Sequence, residues 1–298
     1  MDEFNEMIKK IGEELGISVT LLSDGWLKVL EKDNQIHYIT GYQFDTNYHA
    51  IGNVMDDKGM FYDLLKYKNI PVIEHYVINN NYDRNDVLNY FKNHDNEIIV
   101  KGNIGNAGLQ VYKINDENSL FKIIDRLFLK QYTISLCPYY SIKNEYRVII
   151  LNNEIKNIFG KIKPIVIGDG KRTIKELACE YSDYYLRHLD KIDNPSFIPK
   201  VNEEVELSFK FNLSSGAKTF TEIPLELKDK ICDLALSLTR KLNITFASVD
   251  IINTMDNELL VMEANSGVTM NKFIKQNDGY KLAYDIYKEA IKRMFNNC

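Results

Sequence analysis

The residues best suited to chemistry lie in the segment ASVDIINTMDNELLVMEANSG, residues 247–267. Two apolar runs flank a polar turn at residues 254–257, the pattern of an antiparallel hairpin. If Asn253 pairs with Glu258, Asp250 lies opposite Val261 and diagonal to Glu263, at ~7–8 Å between Cα atoms. Alternate strand residues share a face, so Asp250, Glu263 and Asn265 then point one way. Two carboxylates and an amide oxygen make an oxygen-only donor set. Such a set suits Mg²⁺, which is usually held by one or two carboxylates plus substrate phosphates. The competing reading is a solvated polar face. It is weakened because Glu263 interrupts the apolar stretch Leu259-Leu260-Val261-Met262, where an unpaired carboxylate is costly. The geometry rests on register, since a slip of one residue puts Asp250 and Glu263 on opposite faces.

A second group of residues suits phosphate. Lys101 ends an apolar strand and leads into GNIGNAGLQV. Small residues at Gly102, Gly105, Ala107 and Gly108 let the backbone approach an anion and aim N–H groups at it. A lysine at the strand end adds a compact positive charge. The pattern is neither the Walker motif nor GxGxxG before a helix, and an ordinary turn fits it equally well. Lys58, in Asp57-Lys58, reads on its own as a surface lysine. Glu145 and Arg147 alternate in NEYRVIIL. They read either as an exposed pair on an edge strand, or as a ribose-binding carboxylate beside a guanidinium near phosphate or a substrate carboxylate. Lys161 and Lys163 repeat the alternation one strand later.

The elements that must position these groups follow from periodicity. Helices are expected at residues 3–15, 56–69, 84–94, 116–130, 174–189, 225–242 and 279–296. Strands are expected near 17–22, 26–31, 36–40, 97–101, 132–137, 145–151, 154–161 and 204–211, with the hairpin at 246–253 and 258–264. Asn152-Asn153 reads as a two-residue hairpin turn. Thr173 reads as the N-cap of its helix, and residues 190–203 as a loop. Mixed helices and antiparallel hairpins argue for an α+β architecture.

The whole chain, 298 residues, is long enough for two or three packed units. A formal net charge of −5 argues against general affinity for nucleic acid. No apolar run approaches the ~20 residues needed to span a bilayer, so no membrane partner is expected. The acidic, amphipathic N-terminus is unlike a signal peptide, and the four cysteines form no CxxC pair. These features fit reduced thiols and a cytoplasmic location.

Taken in order, the stretches DDKGMFYDLLKYKNIPV, IIVKGNIGNAGLQVY, NEYRVIILNNEI, VIGDGKRTIKEL, FNLSSGAK and VDIINTMDNELLVMEANSG resemble the ATP-grasp superfamily, over about residues 57–275. The resemblance is strongest to the branch of cyanophycin synthetase and the glutathione synthetase module of bifunctional bacterial enzymes. It implies two α+β subdomains gripping ATP, at 57–131 and 132–298, behind a short N-terminal domain at 1–56. Lys58 and Lys101 would contact ATP phosphates, and the loop from Gly102 to Gly108, with Gly105, Asn106 and Ala107, would close over them. Cys137 and Tyr139 would lie beside adenine, and Glu145 would hold the ribose. Asp250, Glu263 and Asn265 would bind Mg²⁺, two ions with Mn²⁺ able to substitute. Arg147, Lys161 and Lys163 would face the transferred phosphoryl or the substrate carboxylate. Asn212, Gly216 and Lys218 would border the acceptor side, and Gly267 would join the catalytic residues. The family usually has glutamate where Cys137 sits, often glycine where Gln110 sits, and often Pro-Gly where Ser266-Gly267 follows the metal-binding Asn.

The implied reaction joins a small-molecule carboxylate, an amino acid or short peptide, to an amine through an acyl-phosphate. A phosphotransferase on the same site and a non-catalytic nucleotide-binding module are the alternatives. The short N-terminal domain leaves room for a homodimer partner.

Overall fold

The computed structural model describes residues 2–105 and 110–296. It contains two compact units: residues 1–158 with 224–298, and residues 159–223.

The first unit opens with α1 (Asp2–Leu15), whose apolar stripe of Phe4, Met7, Ile8 and Ile11 is buried. Next comes an antiparallel meander of β1 (Ser18–Leu22), β2 (Leu27–Lys32), β3 (Gln35–Thr40) and β4 (Gln43–Phe44). Asp33 and Asn34 join β2 to β3 with φ of 50° and 64°, the left-handed pair that a two-residue hairpin turn needs. One helix was expected over 56–69, but two are found, α2 (His49–Asp56) and α3 (Lys58–Tyr67). Asp57 separates them. Its backbone is extended and its carboxylate caps α3, accepting from Met60 N–H at 2.8 Å.

Next come β5 (Tyr76–Asn79), α4 (Arg84–Asn93), β6 (Ile98–Gly102), β7 (Val111–Ile114), α5 (Glu117–Phe128) and β8 (Thr133–Pro138). Their strands form an antiparallel sheet in the order β5-β8-β6-β7. Ile98, Val100, Ile134 and Leu136 share a core with Val87, Phe91, Leu120 and Ile124 of the two helices. The pleat turns the alternate residues Ile99, Lys101, Ser135 and Cys137 to the other face, where Lys101 lies opposite Ser135 and Ile99 opposite Cys137. β9 (Ile142–Leu151) and β10 (Glu154–Ile162) meet at Asn152-Asn153, φ 53° and 62°, as the two asparagines suggest.

The second unit holds β11 (Ile165–Ile167), α6 (Ile174–Tyr181), α7 (Asp183–Arg187), β12 (Glu204–Glu206) and β13 (Lys218–Phe220). Residues 160–162 of β10 pair with β13, and β11 pairs with β12. Thr173 and Glu176 form a reciprocal capping box at the start of α6. The helix expected to reach 189 stops at Tyr181 because Ser182 is extended (φ −159°, ψ 137°), and its hydroxyl caps α7. The strand expected over 204–211 ends at Glu206. Its final ladder bond runs from Leu207 N–H to Pro164 O (2.9 Å), and proline has no N–H to return.

The chain re-enters the first unit as α8 (Leu225–Leu242), β14 (Phe246–Thr254), β15 (Leu259–Asn265), α9 (Asn271–Asn277) and α10 (Tyr280–Asn296). Within this unit the second sheet runs β10-β9-β14-β15. All nine residues of β14 are buried. Asn47 fixes the start of β14: its side chain donates to Phe246 O (2.7 Å) and accepts from Thr245 N–H (2.7 Å). The turn after β15 is held by Tyr287, whose buried ring lies 5.0 Å from Phe4 and 5.8 Å from Phe44. Its hydroxyl donates to Val268 O (2.8 Å) and accepts from Met270 N–H (3.2 Å). Among the described residues, no helix is long and apolar enough to cross a membrane.

Replacing Tyr287 by Phe keeps the ring and removes both bonds. Leaving the Met270 N–H and Val268 carbonyl unpaired is expected to cost about 1–3 kcal/mol. Urea unfolding reads this as a lower midpoint at unchanged slope. An unchanged midpoint would show that the hydroxyl contributes nothing.

Candidate active site

Asp250 stands in the middle of β14 and is 1% exposed. Its pairing differs from the expected register. The turn closes with Thr254 N–H bonded to Glu258 O (3.0 Å) and Glu258 N–H to Thr254 Oγ1 (3.1 Å), so Asn253 pairs with Leu259 rather than Glu258. That single-residue shift alone would set Met262 opposite Asp250 and turn Glu263 away. A bulge between Asp250 and Ile251 adds one more residue and restores the shared face. Asp250 therefore lies directly opposite Glu263, not diagonal to it.

On the other side of β14, Arg147 of β9 lies opposite Asp250 and grips it with both arms, Nε to Oδ1 at 2.8 Å and Nη2 to Oδ2 at 2.6 Å. Burial opposes the guanidinium charge. The neighbouring Asp250, Glu263 and Glu145 outweigh that penalty and hold the pKa of Arg147 above its ordinary value. Glu145 is itself buried and lies opposite Ile252. The sheet thus carries, strand by strand, one cation and two carboxylates in a row.

Asn265 Nδ2 donates to Glu263 Oε1 (3.1 Å). Both residues line a cavity of ≈ 160 Å³ with Lys58, His75, Ile104 and Gly105. The segment between α3 and β5, which carries His75 to the cavity, runs beside β15. Ile73 N–H donates to Val261 O and Val261 N–H to Pro71 O, both at 3.0 Å, so that segment lies alongside β15. Lys58, the first residue of α3, donates from Nζ to Asn103 O (3.1 Å) and Gly105 O (2.9 Å). Burial and then the charge of Lys101 lower its pKa to about 8, against the opposing pull of Glu263, Asp57 and Asp56.

Among the described residues, no group of three or more His, Cys, Asp or Glu is arranged to hold a metal. The donor set here is two carboxylates and an amide. Carboxylate oxygens accept more than one partner, so the Arg147 grip leaves Asp250 able to meet a cation. Opposed hard donors beside a cavity lined by lysine fit a Mg²⁺ ion that takes its remaining ligands from phosphate.

Two residues of the site carried no signal in the sequence. His75 is buried, and its Nδ1 is paired with Ser135 Oγ at 2.7 Å. Burial, then Lys101 and Lys58, push its pKa down to about 2, so it stays neutral. Asn103 is buried within the glycine-bearing stretch and binds the start of α3. One polar residue in a polar loop, or one histidine near apolar neighbours, has no periodicity to mark it.

The other candidates divide between the two units. Gly102 ends β6, and Gly105 takes φ 142°, a conformation that glycine adopts without strain. Asn106, Ala107 and Gly108 lie outside the described residues. Gln110 has φ 55°, the left-handed region, which accounts for the glycine expected there from the resemblance. Cys137 is buried on the Lys101 face of its sheet, and burial raises the pKa of its thiol. Tyr139 donates its N–H to Glu97 O (3.2 Å), and its ring lies 3.5 Å from the Lys113 ammonium. Gly267 forms a bridge with Gln43. In the second unit Lys161 is buried opposite Thr219, and Lys163 pairs with Glu206. Asn212 caps a short 3₁₀ turn through Ser214 N–H, and the Lys218 ammonium lies 4.0 Å over the Tyr181 ring.

The chain is similar to several known proteins. Residues 200–289 match the RimK-like ATP-grasp domain. The glutathione biosynthesis bifunctional protein GshAB of Streptococcus agalactiae is 28% identical over 198 residues, covering 64% of this chain and 25% of that protein. The protein of the same name from Clostridium perfringens is 26% identical over 279 residues, covering 83% and 33%. The chain thus spans between a quarter and a third of the length of these curated relatives. Among solved structures, a bifunctional glutathione synthetase from Pasteurella multocida superposes with a TM-score of 0.56 at 16% identity, covering 98% of this chain and 44% of that one. The D-alanine–D-alanine ligase of Bacillus anthracis gives 0.56 at 16%, covering 82% and 70%. The chain thus shares its fold with these two structures, and its residues 200–289 match the RimK-like ATP-grasp domain.

Proposed function

We propose that this chain is an ATP-dependent carboxylate–amine ligase that works through an acyl-phosphate. The observation that carries this reading is a single cavity lined by Lys58 from one side and by Glu263 and Asn265 from the other. A cation for phosphate and oxygen donors for a divalent metal share one small space. The names of the relatives and neighbours, for glutathione biosynthesis and for D-alanine–D-alanine ligation, support an amino acid or short peptide as the substrate class.

The roles carry over from the resemblance, and the cavity shared by Lys58, Gly105, Glu263 and Asn265 supports them. Lys58 and Lys101 hold the phosphates, with the loop that begins at Gly102 over them. Glu145 accepts from the ribose hydroxyls, and the backbone near Cys137 and Tyr139 meets the base. Asp250, Glu263 and Asn265 hold Mg²⁺, two ions in this reading, which would neutralise charge on the phosphates. Arg147 grips and aims Asp250. Lys161, Lys163, Asn212 and Lys218 are the second unit's candidates for contact with substrate. The subdomain division at 57–131 and 132–298, behind residues 1–56, is part of the same reading. A substrate carboxylate attacks the γ-phosphorus, ADP leaves, and the lysines offset the charge of the loose phosphoryl-transfer transition state. An amine then attacks the acyl carbon and phosphate departs. Exclusion of water protects the acyl-phosphate between the two steps.

A phosphate-release screen over amino acids and dipeptides, with ATP and mass detection of products, tests the reading. Release that needs both a carboxylate and an amine, with an amide product, is expected. A stable phosphorylated product formed without an amine would instead establish a phosphotransferase.

The lowered pKa of Lys58 gives a pH dependence. Its ammonium loses its proton near pH 8 in the free protein, whereas phosphate binding favours the charged form. ATP binding therefore takes up a proton above pH 8, and KM for ATP rises with pH there, up to about tenfold per unit. Lys58→Arg stays charged throughout and should flatten the rise. A parent profile flat from pH 7 to 9.5 would contradict this assignment.

A further inference from the structure

Building on the nucleotide reading above, we infer that Asn103 is the positioning residue for Lys58. It locks the start of the glycine-bearing loop to the N-terminus of α3, and so sets where the Lys58 ammonium stands. Asn103 is 2% exposed, and each of its polar groups is engaged. Its N–H donates to Thr133 O at the start of β8 (3.2 Å). Its carbonyl accepts from Lys58 N–H (3.3 Å) and from Lys58 Nζ (3.1 Å). Its side-chain Oδ1 accepts from Gly59 N–H (3.0 Å), and its Nδ2 donates to Asp57 Oδ2 (2.7 Å). The other Asp57 oxygen caps α3 through Met60 N–H. One residue thus joins the end of β6 to the start of β8 through its backbone, and to the first turn of the helix that carries Lys58 through its side chain.

The helix start has little slack. A Cβ at Gly59 would meet Val77 Cγ2 of β5 at 2.6 Å, so α3 is pressed against the sheet at this point. With its backbone fixed there, Lys58 reaches Gly105 O and Asn103 O with its ammonium held inside the cavity wall. Loss of the Asn103 bonds frees the helix start to shift, and a displacement of about 1 Å is enough to weaken a charge-assisted contact to phosphate severely.

The bonds require an amide at position 103. The group must accept from Gly59 N–H and donate to a carboxylate at the same time. Leucine matches its size and does neither. Aspartate accepts but cannot donate, and it would set two carboxylates against each other. The pair can nevertheless be exchanged. With asparagine at 57 and aspartate at 103, the Met60 cap, the cross-bond and the Gly59 bond are all retained.

The test measures Mg·ATP affinity by calorimetry and the thermal midpoint for the full-length parent, Asn103→Leu, Asn103→Asp, the exchanged pair Asp57→Asn/Asn103→Asp, Lys58→Met, and Lys58→Met/Asn103→Leu. Asn103→Leu and Asn103→Asp are expected to bind ATP about 10–100-fold more weakly, the scale of one lost charge-assisted contact. The exchanged pair should return to within threefold of the parent. In the Lys58→Met background, Asn103→Leu should add less than twofold, because its effect runs through the lysine. A folded Asn103→Leu protein that binds ATP like the parent overturns the inference. So does an exchanged pair that recovers less than this, or a full additional loss in the Lys58→Met background. A parent that binds no ATP overturns the nucleotide reading itself, and the inference falls with it.

Discussion

A carboxylate in the centre of a wholly buried strand is the constraint around which the site is built. Asp250 sits in β14 with a neighbour strand on each side. An ion there is stable only if its lost hydration is replaced, and removing one partner of such a pair costs several kcal/mol. Arg147 replaces that hydration from one side with a two-armed grip. On the other side lies Glu263, a second negative charge that makes the row unbalanced. The protein keeps two carboxylates where stability alone would favour one or none. Under the proposed function, a divalent cation held together with substrate phosphate would balance that excess.

The rest of the first unit delivers the opposite charge to that row. The segment 71–73 is hydrogen-bonded along β15, and α3, which precedes it, places Lys58 at the cavity. Lys58 arrives with its ammonium satisfied by two backbone carbonyls rather than by a carboxylate. Neutral acceptors hold a lysine in place without cancelling its charge, which leaves that charge available to a phosphate. Behind β15, Tyr287 fixes the turn at 268–270, and Asn47 fixes the start of β14. The N-terminal helix and meander contribute Phe4 and Phe44 to the same aromatic packing.

Much of this was legible in the sequence. Amphipathic periodicity located α1, α8 and α10, Asn152-Asn153 marked a hairpin, and Thr173 marked a helix start, because each is decided by local chemistry. The shared face of Asp250 and Glu263 was also legible, though for the wrong register. The turn closes one residue later than expected, and the bulge at Asp250 compensates. Neither event is encoded locally; both depend on how β14 seats between β9 and β15. The shortened strand at Glu206 reflects its partner, where Pro164 ends the ladder. His75 and Asn103 matter because of what lies across the fold from them. The ordered stretches that resemble the ATP-grasp superfamily pointed to the other candidate residues, and the hydrogen bonds show how several of them are held.

The most direct measurement is Mn²⁺ binding followed by electron paramagnetic resonance, with and without ATP, in the parent and in Glu263→Gln. If Asp250, Glu263 and Asn265 hold a metal together with nucleotide phosphate, Mn²⁺ should bind tightly only when ATP is present. Glu263→Gln should weaken that binding at least tenfold while the protein stays folded. Mn²⁺ binding that ignores ATP, or that is unchanged in Glu263→Gln, would contradict a metal–nucleotide site at this cavity.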